Sequence, residues 1–188
     1  RGNDIDLTPL AFAYLLIPKN GKLTLFCNIK NIEEGLKRKL TRLSDLKDFI
    51  DIKKEFSHIS KFKSVSMDYS NTPFYFKDLC ESIGLKTIHI TNPCIELKAS
   101  KNSTELKGAK RANMRDGISI VKFLYWLKNK KNLNNITEIK VADYLLALRK
   151  KNKLFYSLSF DTISAFGKHS ALPHYRVSKN SNYQLKKN

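Results

Sequence analysis

The chain has 188 residues, 41% of them hydrophobic, and its 35 Lys and Arg against 17 Asp and Glu give a formal net charge of +18. That length allows one or two domains with an ordinary core. The basicity invites a nucleic-acid reading, but Lys is spread along the chain, with only short clusters such as Lys53-Lys54 and Arg149-Lys150-Lys151. No helix-turn-helix, ribonucleoprotein motif or Cys/His finger accompanies it, so charge supports only non-specific phosphate contact and a nucleic-acid partner is not expected.

Taken in chain order, Ala11 to Ile17 reads as an apolar strand and Lys22 to Cys27 as an alternating one, with Asn20-Gly21 between them as a two-residue hairpin signal. Asn31 is placed to cap a helix through Leu40, with Glu33 and Glu34 in its first turn. Ser64 to Met67 is a short strand. Thr72-Pro73 opens a helix as cap and first-turn proline, and Gly84 ends it. Lys86 to Ile90 is the next strand, and Thr91-Asn92-Pro93 is a natural linker. The alternation predicts an α/β (α+β) domain over residues 1–92 and a second domain over 93–188.

The second half opens with a long helix in which Asn102 and Glu105 form a capping-box pair. Leu106, Ala109, Asn113, Gly117, Ile120, Leu124 and Leu127 follow steps of three and four, which predicts one buried face. Gly117 costs about 1 kcal/mol against Ala in a helix interior, so a close neighbour is expected there. Thr137 caps a second helix with Val141, Leu145 and Leu148 on its inner side. Phe155 to Phe160, Thr162 to Phe166 and Ala171 to Val177 read as strands, with Gly167-Lys168-His169-Ser170 as a turn.

Cys27, Cys80 and Cys94 are odd in number, widely spaced and lack CxxC spacing, which argues against a disulfide framework and a structural zinc site and fits a reducing, cytoplasmic setting. The longest apolar run, Leu10 to Ile17, is too short to span a bilayer. The sequence begins at Arg1 and not at Met, as a processed product or a fragment would.

Three blocks carry a more specific signal. The first is Arg1-Gly2-Asn3-Asp4-Ile5 with Phe12-Ala13-Tyr14. The second runs from Asn92-Pro93 through Leu97-Lys98-Ala99-Ser100-Lys101-Asn102, Glu105, Gly108, Arg111, Ala112 and Arg115-Asp116-Gly117 to Phe123-Leu124-Tyr125-Trp126-Leu127. The third is Leu158-Ser159-Phe160-Asp161-Thr162-Ile163-Ser164 with Gly167, then Ala171-Leu172-Pro173-His174-Tyr175. In this order they resemble aminopeptidase P, the Xaa-Pro aminopeptidases of the creatinase-like "pita-bread" metallopeptidases. The resemblance implies an incomplete creatinase-like N-terminal α/β domain followed by the front portion of the pita-bread domain. It departs from the family at Ala165, where the pattern has Gly, and at Ser181-Asn182-Tyr183, where it has Thr-Asn-Arg.

By itself His174, between Pro173 and Tyr175, reads as a core histidine held by its neighbours. The resemblance makes it instead a catalytic residue, a proton shuttle or oxyanion contact. His169, His58 and His89 read as structural or surface residues; the five-residue step from His169 to His174 does not put both on one strand face, so a two-His metal pair is not expected. Asp161 is expected to make a structural hydrogen bond, and Trp126, Phe123 and Tyr125 to be core or interface.

Attack on the tertiary amide before proline needs a strong nucleophile. The resemblance assigns that to two divalent ions, Mn foremost, held by two Asp, one His and two Glu that follow the Pro-His-Tyr block. No position here matches those ligands, so this chain is expected to bind no metal and to be inactive alone, acting on Xaa-Pro peptides only when the missing half complements it. A homo-oligomer is left open and no membrane partner is expected. A non-catalytic creatinase-like binding protein and a basic nucleic-acid-binding protein stand as the alternatives.

Overall fold

In the computed structural model, which describes residues 2–186, the chain divides into two compact units, one ending at Ser100 and the other beginning at Lys101. Arg1, the first residue of the first sequence block, lies outside the described residues.

The first unit alternates strands and helices: β1 (Ala13–Leu16), β2 (Leu23–Cys27), α1 (Glu34–Leu40), β3 (Ser44–Lys47), α2 (Ile52–His58), β4 (Ser64–Met67), α3 (Phe74–Ser82), β5 (Lys86–His89) and α4 (Cys94–Ala99). β1 pairs antiparallel with β2, and β3 adds to β2 in parallel. β4 and β5 form a separate parallel pair. No ladder among the described residues joins the two sides of Asn92-Pro93.

The hairpin forms where expected but not with the expected turn. Leu16 pairs with Thr24 and β2 begins at Leu23, so residues 17–22 make a longer loop. Pro18 explains this: it has no N–H for a ladder and constrains Ile17 before it, ending β1 early. Gly21 takes φ +105 in that loop. Asn31 is not a helix cap. It ends a 3-10 turn, Ile29–Asn31, and α1 starts at Glu34 with no side-chain cap. Thr72 is not a cap either, since its amide bonds the Asp68 carbonyl at 2.8 Å and Pro73 takes the N-cap position.

Gly84 does end α3. At φ +75 it sits where the Leu85 amide reaches the Cys80 carbonyl (2.9 Å) and its own amide that of Glu81 (3.0 Å), the paired bonds of a Schellman motif. α2 was not foreseen, although Asp48 and Asp51 form a capping box leading into it and Ile52 and Phe56 are both buried one helical turn apart. The core gathers Phe26, Ile52, Phe56, Met67, Phe76, Leu79, Cys80 and Leu85. Tyr14 lies edge-on to Phe76 at 4.7 Å and to Phe49 at 5.9 Å.

The second unit contains α5 (Ser103–Lys128) and α6 (Glu138–Lys150). The capping box is present as read: Asn102 Oδ1 accepts from the Thr104 and Glu105 amides at 2.9 Å each, and Glu105 Oε2 accepts from the Asn102 amide at 2.8 Å. Asp116 takes a two-pronged bond from Arg149 (2.6 and 2.9 Å), and Trp126 stacks on Tyr144 at 4.0 Å. Later residues of α5 thus meet earlier ones of α6, the pairing order of antiparallel helices.

The buried face of α5 differs from the expected one. Ser119 is buried and Asp116, Ile120, Phe123, Trp126 and Leu127 are half-buried, whereas Leu106, Ala109, Asn113 and Leu124 are exposed. Only the last turns of α5 have α6 beside them, so the apolar period over the first turns finds no cover within the described unit. The ideal Cβ of Gly117 meets nothing within 4 Å, contrary to the expected close neighbour.

The three C-terminal stretches expected as strands are irregular. The described residues there show a 3-10 turn at Gly167–Ala171 and isolated bridges, Thr137 with Gln184 and Ser178 with Ser181. A strand exists by its ladder, and here the amides go elsewhere: Phe155 to the Asn152 carbonyl, Leu172 to that of His169, Tyr175 to that of Leu172, and Phe166 to a carboxylate. Among the described residues no helix is long and apolar enough to cross a membrane.

Candidate functional site

The carboxylate just mentioned belongs to Glu138, the first residue of α6. A Glu in a first helical turn usually faces water, where it complements the helix dipole. Glu138 is 0% exposed. Thr137 starts the helix there, its hydroxyl accepting from the Lys140 amide at 3.3 Å, while the Glu138 amide bonds the Tyr183 carbonyl at 3.0 Å. Residues 182–185 therefore run alongside the start of α6, with Asn182 Oδ1 accepting from the Ile139 amide at 3.1 Å and the Leu185 amide bonding the Ile136 carbonyl at 2.8 Å.

A buried carboxylate is tolerable only if its oxygens are satisfied. Those of Glu138 are. Oε1 accepts from the Phe166 amide (2.6 Å) and meets His169 Nδ1 (2.9 Å); Oε2 accepts from the Tyr183 amide (2.8 Å) and from the Tyr175 hydroxyl (2.9 Å). Burial by itself would raise this carboxyl, but the Tyr183 amide, His169, the Phe166 amide and Tyr175 together outweigh it and hold it below the ordinary glutamate value. His169 is sandwiched at 3.8 Å from Tyr183 and 4.3 Å from Tyr175. Tyr175 is buried, and its hydroxyl also lies against the Ser181 carbonyl. Burial pushes its phenol up, and the Glu138 charge adds to that.

Of the residues singled out in the sequence, His169 is at this centre as a structural group, while His174 is one residue from it. The His174 ring is exposed and makes no hydrogen bond or ion pair among the described residues, so it is not the buried core histidine that its surroundings first suggest. Asp161 is exposed and pairs with Arg176 at 3.5 Å. His58 is exposed near Glu55, and His89 accepts from the Tyr69 amide at 3.3 Å. Trp126 stacks on α6, but Tyr125 is 70% exposed. Glu138 itself carried no sequence signal; its donors lie 28 to 45 residues further on.

Residues 1–105 match the creatinase/prolidase N-terminal domain, more than half of the chain. The chain belongs to the creatinase/prolidase family. Residues 107–188 match metallopeptidase family M24, so the resemblance drawn from the three sequence blocks holds over both units. The probable Xaa-Pro aminopeptidase P of Coccidioides posadasii (strain RMSCC 757 / Silveira) is 30% identical over 190 residues, 95% of this chain and 31% of the relative. That of Laccaria bicolor is 29% identical over 194 residues, 100% of this chain and 29% of the relative. The X-prolyl aminopeptidase of Caenorhabditis elegans, described as a cytosolic enzyme with a di-nuclear active site, superposes with a TM-score of 0.82 at 27% identity, covering 96% of this chain and 31% of that one. The fold is thus that of an incomplete creatinase-like and pita-bread arrangement. The chain spans about a third of the length of the relatives it matches.

The di-nuclear centre of the nematode enzyme raises the question of ligands here. Among the described residues no group of three or more His, Cys, Asp or Glu is placed to hold a metal ion. Glu138, the one fully buried carboxylate among them, already has both oxygens occupied by protein donors. The described residues do not fit a two-metal centre.

Proposed function

We propose that this chain is the part of a cytoplasmic Xaa-Pro metalloaminopeptidase that carries the creatinase-like domain and the entry to the catalytic domain, and that it contributes His174 to removal of an N-terminal residue ahead of proline. The observation that carries the reading is the Ala171-Leu172-Pro173-His174-Tyr175 block, in which Tyr175 is buried and anchored while the adjacent His174 ring faces water with no partner among the described residues. An imidazole left free beside a fixed backbone is available to another molecule. Cleavage before proline leaves a secondary amine that must gain a proton, and passes through an oxyanion that needs a donor. One imidazole near neutral pH can serve either end. The chain by itself lacks the activated water, so alone it is inactive on this reading.

The test joins residues 1–188 in frame to the remaining part of the C. elegans enzyme and assays Xaa-Pro peptides with Mn²⁺ supplied. The joined protein is expected to turn over and the separate chain is not. His174→Ala should lower kcat by about 10²–10⁴, the range of a lost acid–base group, with metal content unchanged. Unchanged turnover makes His174 structural, and lost metal makes it a ligand.

A further inference from the structure

His174 has nothing of its own to hold it, so its place is set by the backbone around it. That backbone is a succession of tight turns: the His169 amide bonds the Phe166 carbonyl (3.3 Å), the Leu172 amide that of His169 (3.1 Å) and the Tyr175 amide that of Leu172 (3.2 Å). Turns of this kind, outside any ladder, open readily unless tied elsewhere. Here the ties converge. Phe166, His169, Tyr175 and Tyr183 all donate to the two oxygens of Glu138, and three of these residues begin or end one of the turns.

We propose that Glu138 is a positioning residue: its carboxylate fixes the stretch from Phe166 to Tyr183 against the first turn of α6 and, through Tyr175, sets where His174 stands. This rests on the acid–base reading of His174 given above. Only a carboxylate suits the place. It offers acceptors on both oxygens and no donor, whereas the amide of Gln would turn an NH₂ toward two of the groups that now donate. Ser181 completes the arrangement: its carbonyl shares the single Tyr175 O–H with the carboxylate, and its amide bonds the Ser178 carbonyl at 3.1 Å. The position that departs from the family pattern is thereby used in the same tether.

The joined enzyme tests this by a double-mutant cycle. Glu138→Gln should lower kcat by about 10–100-fold, as loss of a group that orients a functional residue does, with KM and Mn content unchanged. Tyr175→Phe, which keeps the ring stack and removes only the hydroxyl, should give a smaller loss in the same direction. Glu138→Gln with His174→Ala should be no slower than His174→Ala alone, because residues acting as a unit are not additive. A full further loss in the double variant means that Glu138 acts by some other route and overturns the proposal, and so does unchanged kcat in Glu138→Gln. If His174→Ala is itself silent, the acid–base reading fails and the assignment of Glu138 to catalysis fails with it. The tether is read separately in the chain on its own: Glu138→Gln should speed amide hydrogen exchange at Phe166 and Tyr183, whose amides bond the carboxylate. Unchanged protection there overturns the tether whatever the assays give.

Discussion

In the unit ending at Ser100 the large side chains most completely removed from water are Phe26 and Cys80; in the unit beginning at Lys101 it is Glu138. The first interior is an apolar cluster fed by strands and helices alike, with Phe26 from β2, Met67 from β4 and helically spaced residues of α2 and α3. The second has Leu145 and Leu148 on α6 but closes its irregular C-terminal stretch on one carboxylate. An apolar cluster spreads its stabilisation over many contacts, each small and non-directional. A carboxylate with both oxygens engaged concentrates it in a few directed bonds, and losing either of the two amide bonds leaves a buried donor unpaired. The first arrangement suits a scaffold, and the second fixes a segment in one conformation.

The sharpest break of that contrast is Glu138→Ala. It leaves the Phe166 and Tyr183 amides without their acceptor and the Tyr175 hydroxyl with only Ser181, at about 1–3 kcal/mol for each amide that stays dry. Denaturant unfolding of the second unit, followed by hydrogen exchange, should show the largest loss of any single change considered for it. A loss below about 1 kcal/mol would mean that water replaces the carboxylate freely and that the second unit is not organised as described. Phe76→Ala is the counterpart in the first unit. Truncating this buried ring should cost about 3–5 kcal/mol, read as a shifted midpoint for amides of α2, α3 and β2. A much smaller cost would show a core that collapses around the gap.

Acid separates the two interiors next. Glu138 is held below its ordinary value in the folded state, so the stability it brings is complete above about pH 4.3, the unfolded glutamate value. That stability is lost as pH falls through the lower folded value. Exchange at Phe166 and Tyr183 should therefore rise below that pH in the wild-type chain and show no such step in Glu138→Gln. Asp68 gives the first unit a contribution of the same sign, held low by the Asn71 side chain first and then by the Asn92 amide (2.9 and 3.0 Å). The amides around Asp68 and the start of the linker should thus loosen in acid while those of the Phe26 and Phe76 cluster do not.

How much of this was legible depends on how far apart in the chain the partners lie. β4 was read to the residue, and so were the Asn102 and Glu105 box and the stop at Gly84, because each is decided within a few residues. β3 was not, since Ser44-Asp45-Leu46-Lys47 has no alternation of its own and is a strand only because β2 lies beside it. Phe155 to Val177 was misread for the reverse reason: aromatic and branched residues favour strands, but no ladder partner is present among the described residues. The motif singles out His174 as a candidate, whereas nothing local singles out Glu138, because burial by a segment more than 25 residues away leaves no local trace. The cap of α5 gives a modest check on the legible side. Asn102→Ala should cost about 1 kcal/mol, seen as fraying of the first turn. No change would show that Glu105 alone suffices.

The smallest effect expected is also a gain. Gly117 stands in the interior of α5 with ordinary helical backbone, and an added Cβ would meet nothing within 4 Å. Glycine there carries only its entropic penalty, so Gly117→Ala should raise stability by about 0.5–1 kcal/mol, measured as a higher denaturation midpoint of the chain alone. Gly21 and Gly84 make the control. Their Cβ positions are equally open, but at φ +105 and +75 an L side chain is strained, so alanine there should destabilise. A gain at Gly117 beside losses at Gly21 and Gly84 separates space from backbone conformation as the reason for each glycine. A loss at Gly117 would mean that a neighbour packs against this turn of α5 in solution, restoring the close contact that the sequence led one to expect.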